Sequence, residues 1–326
     1  MIHPGPRNAI TDVAGIRVGH AEEPILLTGT TAIIPDRPVL AAADVRGGGP
    51  GSREIEALAP ESTVQEIHGV VLSGGSAYGL DAAGGAMHWL RSQGRGFPIA
   101  GAIVPIVPAA IIFDLATGGP KDWTQPPWWE LGYRAAANAA EEFALGNAGA
   151  GLGAKAGTIK GGLGTASAVV DGLTIGALAV ANPAGSVLVP GSRTFWAWPF
   201  EMAGELGGQT PPASAPRELD YSFPSAPGTN TTLVVIATDA LLTRAQARRV
   251  ALMAHDGLAR AIRPVHTPLD GDTVFVLATG RHALGDPACA LARLGMVAAD
   301  CAARAIARGV YEAEGIAGLP AWRDLE

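Results

Sequence analysis

Lysine is nearly absent from this chain. Lys121, Lys155 and Lys160 are the only three among 23 basic residues, so arginine supplies 20 of them. Charge of any kind is scarce: 16% of residues are charged, and the balance is −7. A basic surplus, the usual footprint of a nucleic-acid binder, is therefore missing, and no nucleic-acid partner is expected. Cysteine is limited to Cys289 and Cys301. They lie twelve apart in a helix-like stretch, a poor disulfide geometry, and read as two small buried thiols. Long hydrophobic runs are missing too. The longest, Ala102 to Phe113, is broken by Pro105 and Pro108 and is too short to span a bilayer. Met1-Ile2-His3-Pro4-Gly5-Pro6 has no basic region followed by an apolar core. The expectation is a cytoplasmic globule with no membrane partner.

Small residues are abundant instead. The 326 residues include 44 Gly, 25 Pro and 61 Ala, two positions in five. With 48% apolar residues and a mean hydropathy of +0.23, disorder is excluded. Glycine clusters rather than recurring every third residue, which excludes a collagen-like chain. A chain of this length is one large domain or two ordinary ones, and buries roughly 75% of its unfolded surface.

Strand and helix signals alternate. Val70-Val71-Leu72 reads as a buried strand ending at Ser73-Gly74-Gly75, with Ser76 as cap of a helix through Leu80, Ala83, Met87 and Leu90. Ala109 to Leu115 is apolar, and Tyr133 to Phe143 is Ala-rich and reads as helix. Gly146 to Gly164 carries eight glycines in nineteen residues. Ala166 to Ala181 reads as strand with a turn at Asp171-Gly172. Gly191 to Gly228, with five prolines from Pro211 to Pro227, reads as an exposed loop. It runs into Thr231 to Thr238, a buried-strand pattern. Thr243 and Gln246 form a capping box for a helix to about Ile262, and Val274 to Leu277 reads as strand. Asp286-Pro287 opens a last helix through Ala307. The class is α/β.

Several motifs fail on context. Gly151-Leu152-Gly153-Ala154-Lys155-Ala156 fits a dinucleotide fingerprint in letters but does not open a helix. The loop around Ser76 lacks the second glycine of a nucleophile elbow. His266, Asp270 and Asp272 lack a second histidine at ligand spacing, so no metal is expected. The bland reading of Asp270-Gly271-Asp272 is a solvated turn. In an extended backbone its two acids would point the same way.

A proline-rich loop running straight into Gly228-Thr229-Asn230-Thr231-Thr232-Leu233 resembles the self-cleavage site of the L-aminopeptidase D-amidase/D-esterase family. That family includes β-peptidyl aminopeptidases and 6-aminohexanoate-oligomer endohydrolases. Six further segments follow in family order: Asp44 to Glu54, Gly74 to Leu80, Pro108 to Leu115, Lys160 to Ser167, Ala181-Asn182-Pro183 and Asp270 to Thr273. The resemblance implies a four-layer α/β/β/α sandwich, one domain over 1–326, and self-cleavage at Asn230–Thr231 into 1–230 and 231–326. It implies an assembly of several copies, a homotetramer, and needs no cofactor. The Thr231 hydroxyl would be the nucleophile and its freed amine the base, acting on short peptides or amides.

By the same resemblance, Asn182 would bind the oxyanion, and Asp270 and Asp272 would hold Thr231. Phe113 and Lys160 would line the substrate pocket, where Ser76, read from the strand-to-helix loop alone as a cap or a pocket-lining backbone, is also placed. Phe113 stands where relatives often carry Tyr. The lysine of the nylon-oligomer hydrolases aligns on Thr158, flanked by Lys155 and Lys160. Lys155 is narrowly favoured, and Lys121 is given no role. The rival expectations are an acyltransferase of the ornithine-acetyltransferase type and a non-catalytic binding protein on the same scaffold.

Overall fold

A computed structural model of the chain describes residues 2–212 and 229–325. Two mixed sheets lie face to face. The first contains β1 (Ile16–Glu23), β2 (Thr28–Pro35), β4 (Ser52–Arg53), β6 (Val70–Ser73) and β7 (Ala109–Ile111), in the order β1-β2-β6-β7-β4. The second contains β3 (Val39–Val45), β5 (Glu66–Ile67), β8 (Gly162–Val170), β9 (Leu173–Asn182), β10 (Thr231–Leu241) and β11 (Thr273–Ala283), in the order β8-β9-β10-β11-β3-β5. Pairing is antiparallel except at β6–β7 and β10–β11. Helices α1 (Ala82–Ser92) and α2 (Trp128–Ala137) cover the first sheet, and α3 (Arg244–Ala261) and α4 (Pro287–Tyr311) cover the second.

The strand period of two assigns the layers. In β10, Leu233, Val235 and Ala237 face the first sheet, while Val234, Ile236 and Ala240 face α3 and α4. β11 splits the same way, with Phe275 and Leu277 against Val274 and Val276. Central strands are therefore apolar on both faces, which explains the unbroken run at Thr231 to Thr238. The architecture is the expected α/β/β/α sandwich, and the fold class is α/β.

Alanine recurs where helix meets sheet, and glycine marks the closest approach there. A Cβ on Gly164 would lie 2.2 Å from both Ala305 O and Gly309 N, so β8 and α4 touch backbone to backbone. Ala298, Ala302 and Ala305 extend that contact in the core.

Several sequence expectations hold. The hairpin turns at Asp171-Gly172 between β8 and β9. The Thr243–Gln246 capping box starts α3, and the Asp286 side chain accepts from Ala288 N and Cys289 N at the start of α4. Others need correction. Ser76 makes no cap hydrogen bond: it opens a 3-10 turn, Ser76–Asp81, and the α-helix begins only at Ala82. The helix placed at Tyr133 to Phe143 runs instead from Trp128 to Ala137. Ala140 then bridges to Val18, so the sheet edge captures the rest. The expected loop from Gly191 is not exposed throughout. Phe195, Ala197 and Leu206 are fully buried against the α4 side of the core, while 213–228 lies outside the described residues. Cys301 is buried but Cys289 is exposed, and both are free. Among the described residues, no helix is long and apolar enough to cross a membrane.

Candidate active site

The ends of β9 and β10 meet the ends of β6 and β7 at one edge of the sandwich. Thr231 is the first residue of β10, buried, and pairs in register with Asn182, the last residue of β9. In the intact chain the Thr231 hydroxyl donates to the carbonyl oxygen of Asn230 at 2.5 Å. The Gly271 N–H donates to the same oxygen at 3.0 Å. A hydroxyl and a backbone donor thus converge on the peptide bond that precedes the strand. Gly271 has to be glycine here: a Cβ would sit 2.7 Å from the Thr231 Oγ1 and 2.8 Å from Gly49 O.

The turn that carries Gly271 is buried rather than solvated, and both its acids are spent on fixing backbone. Asp272 Oδ1 accepts from Thr232 N at 2.7 Å, and its Oδ2 accepts from His266 N at 3.2 Å and from the His266 ring Nδ1 at 2.8 Å. Asp270 Oδ1 accepts from Ala184 N at 2.9 Å, and Oδ2 accepts from Thr267 N and Oγ1 at 3.0 and 2.5 Å. Burial, with the neighbouring Asp272 charge, pushes the Asp270 carboxyl above the ordinary range. The two carboxylates therefore lock the segments on either side of Thr231 and Asn182. The Asp44 to Gly49 segment closes over this turn. Arg46 N donates to Asp272 O, Gly49 N donates to Asp270 O, and a Cβ on Gly47 would strike Asp272 N at 2.3 Å.

The Asn182 amide is oriented from both ends. Its Oδ1 accepts from Lys155 N at 2.9 Å, and its Nδ2 faces Phe113 O at 3.5 Å. Phe113 is half-buried just past β7. Ser76, at φ +52, donates its N–H to Ile112 O at 3.0 Å. A non-glycine residue in that conformation is strained and occurs disproportionately at functional sites. Next to Ser76, Gly75 N donates to the buried Asp114, which also accepts from Thr28 Oγ1. Desolvation raises the Asp114 carboxyl to about 6.

The two lysines separate sharply. They pair across a short ribbon, Lys155 opposite Lys160. The Lys155 side chain is exposed, and its backbone N–H is what reaches Asn182. Lys160 is fully buried, with Nζ donating to Gly151 O and Gly161 O at 2.7 Å each. Desolvation lowers its amine to about 7, opposed in part by Asp114.

Sequence reasoning brought Thr231, Asn182, Asp270, Asp272, Phe113 and Ser76 to this edge. It missed the Gly271 N–H, whose only signal was a glycine between two acids. It also missed the role of His266 against Asp272, which no spacing rule connects. Among the described residues, no group of three or more His, Cys, Asp or Glu side chains is arranged to hold a metal ion.

Residues 8–321 match the model of peptidase family S58. The chain is 46% identical to an uncharacterized aminopeptidase of Mycobacterium tuberculosis, over 98% of both chains. It is 30% identical to the 6-aminohexanoate-oligomer endohydrolase of Paenarthrobacter ureafaciens, over 82% of this chain and 74% of that one. A β-aminopeptidase of Burkholderia superposes with a TM-score of 0.70 at 25% identity, covering 95% of this chain and 88% of the other. The L-aminopeptidase D-Ala-esterase/amidase of Ochrobactrum anthropi, a variant of the Ntn-hydrolase fold, superposes at 0.67 and 23% identity, covering 95% and 87%. The chain therefore belongs to peptidase family S58 and is a hydrolase of peptide or amide bonds.

Proposed function

We propose that the protein is a self-processing N-terminal-nucleophile aminopeptidase or amidase whose nucleophile is Thr231. The observation that carries this reading is the convergence of Thr231 Oγ1 and Gly271 N–H on the Asn230 carbonyl. In the first stage, Thr231 Oγ1 attacks the Asn230 carbonyl carbon while Gly271 N–H steadies the charge on oxygen. The C–N bond breaks, its nitrogen takes a proton and becomes the Thr231 amine, and water hydrolyses the resulting ester. The products are 1–230 and 231–326.

In the second stage the freed α-amine, with an ordinary pKa of about 8, takes the proton of its own hydroxyl. The hydroxyl attacks a substrate amide, and the Asn182 amide binds the oxyanion. The acyl group transfers to Oγ1 and the substrate amine leaves protonated. Water then releases the acid. Asp270 and Asp272 hold the surrounding backbone so that Thr231 and Asn182 stay opposite each other.

Substrates are short peptides or amides whose acyl part carries a free amine. β-, D- and ω-amino acyl groups all belong to this class. Several copies assemble, as a homotetramer. Intact mass spectrometry is the test. Wild type should convert from 33.1 kDa to two pieces beginning at Met1 and Thr231, and Thr231→Ala should not. A wild type that stays whole after long incubation sinks the self-processing step. Rates on β-alanyl, D-alanyl, L-alanyl and 6-aminohexanoyl anilides rank the acyl groups. Equal cleavage of N-acetylated anilides rejects amine recognition.

A further inference from the structure

Behind the acidic turn lies a histidine pair that the mechanism above does not use. His266 has φ +54, a costly conformation for a side-chain-bearing residue. That conformation brings both its backbone N–H and its ring Nδ1 to Asp272 Oδ2, at 3.2 and 2.8 Å. The ring meets the buried His255 edge to face, with centroids 4.8 Å apart. His255 Nε2 in turn contacts the Asp44 carbonyl at 3.2 Å and the Asp44 carboxylate at 3.3 Å. Burial, aided by His266 and Arg46, lowers His255 to about 3, so it remains neutral. The His266 ring is thus braced from behind. Its Nδ1 faces the Asp272 carboxylate, which can only accept.

The arrangement leaves Asp272 one oxygen for the nucleophile strand. Oδ1 takes the N–H of Thr232 at 2.7 Å, the residue bonded directly to Thr231. An aspartate with both oxygens free would rotate and share that bond with other donors. His266 removes this freedom by a two-point grip on Oδ2.

We infer that His266 is a positioning residue: by clamping Asp272 against Thr232 it fixes the direction in which Thr231 presents its hydroxyl and, after cleavage, its amine. This rests on the reading of Thr231 as nucleophile. His266 does not touch the reacting atoms and moves no proton. Misplacing a reacting group by an ångström can cost about 100-fold in rate.

Two variants separate this role from a structural one. His266→Gly tolerates φ +54 and deletes the ring donor. His266→Asn also tolerates that φ and keeps an N–H donor close to the Nδ1 position. His266→Gly should slow self-cleavage and lower kcat roughly tenfold or more, with KM unchanged within about twofold. His266→Asn should recover most of both rates. Equal rates in His266→Gly and wild type overturn the proposal, as does a change confined to KM.

A second measurement does not depend on catalysis. In the uncleaved Thr231→Ala chain, amide hydrogen exchange at Thr232 should quicken in His266→Gly and slow again in His266→Asn. Unchanged exchange overturns the clamp. If wild type neither cleaves itself nor hydrolyses amides, the nucleophile reading fails, and the exchange result still decides the clamp.

Discussion

At Lys160, burial removes an ammonium from water and gives it the carbonyls of Gly151 and Gly161 as hydrogen-bond partners, with Asp114 as a nearby counter-charge. Its amine falls to about 7, while an unfolded chain restores the ordinary 10.5. Between those values the unfolded state holds one proton more than the native state. Stability from this group therefore rises with pH through that window and is lowest below 7. The slope approaches about 1.4 kcal/mol per pH unit. Urea midpoints of wild type and Lys160→Met, taken from pH 6.5 to 9.5, should converge as pH rises. Parallel curves would show that Lys160 folds with its charge intact. Asn182 makes a different prediction. Asn182→Ala should lower kcat about 100- to 1,000-fold, the usual effect of deleting one oxyanion donor. Its KM should change little, because in the proposed role the amide serves developing charge rather than the ground state.

Elements place these residues through register and close approach. Thr231 and Asn182 face each other because β9 and β10 pair from Ile175–Thr238 to Asn182–Thr231 without a break. A one-residue slip would turn every side chain of β10 to the wrong layer. The same sheet depends on β8 lying directly on α4. Gly164→Ala would push a methyl into Ala305 O and Gly309 N, and overpacking of that kind costs about 1–3 kcal/mol. The thermal midpoint should drop by several degrees while the midpoint of Gly172→Ala, at a solvent-facing turn with φ +78, falls less. An unchanged midpoint for Gly164→Ala would mean that α4 has room to shift.

On the scale of the molecule, the proposed cut separates a strand from its chain without removing it from its sheet. β10 sits between β9 and β11, and α3, β11 and α4 follow it in 231–326, so the two pieces share one sheet and one core. After processing, 1–230 and 231–326 should co-elute in gel filtration and separate only in denaturant. Pieces that part under native conditions would contradict an interface built from β9–β10 pairing.

What the sequence determined by itself was local. Apolar runs and caps specify β10, α3 and the start of α4, because hydrophobic period and capping chemistry act within a few residues. The ordered family motifs implied, by resemblance, that Thr231, Asn182 and the two acids come together. Tertiary structure decided the rest. Asp272 reaches Thr232 across 40 positions, and Gly271 reaches back to Asn230, contacts that no local pattern encodes. The sequence separates Lys155 and Lys160 only narrowly, in favour of Lys155, yet the Lys155 side chain is exposed and the Lys160 amine is buried beside Asp114. Phe195 and Leu206 lie within a proline-marked loop but pack in the core, because burial depends on what the fold brings over them. The lysine scarcity that first looked like a bias toward arginine thus leaves, at Lys160, a fully buried amine whose chemistry is set by the interior around it.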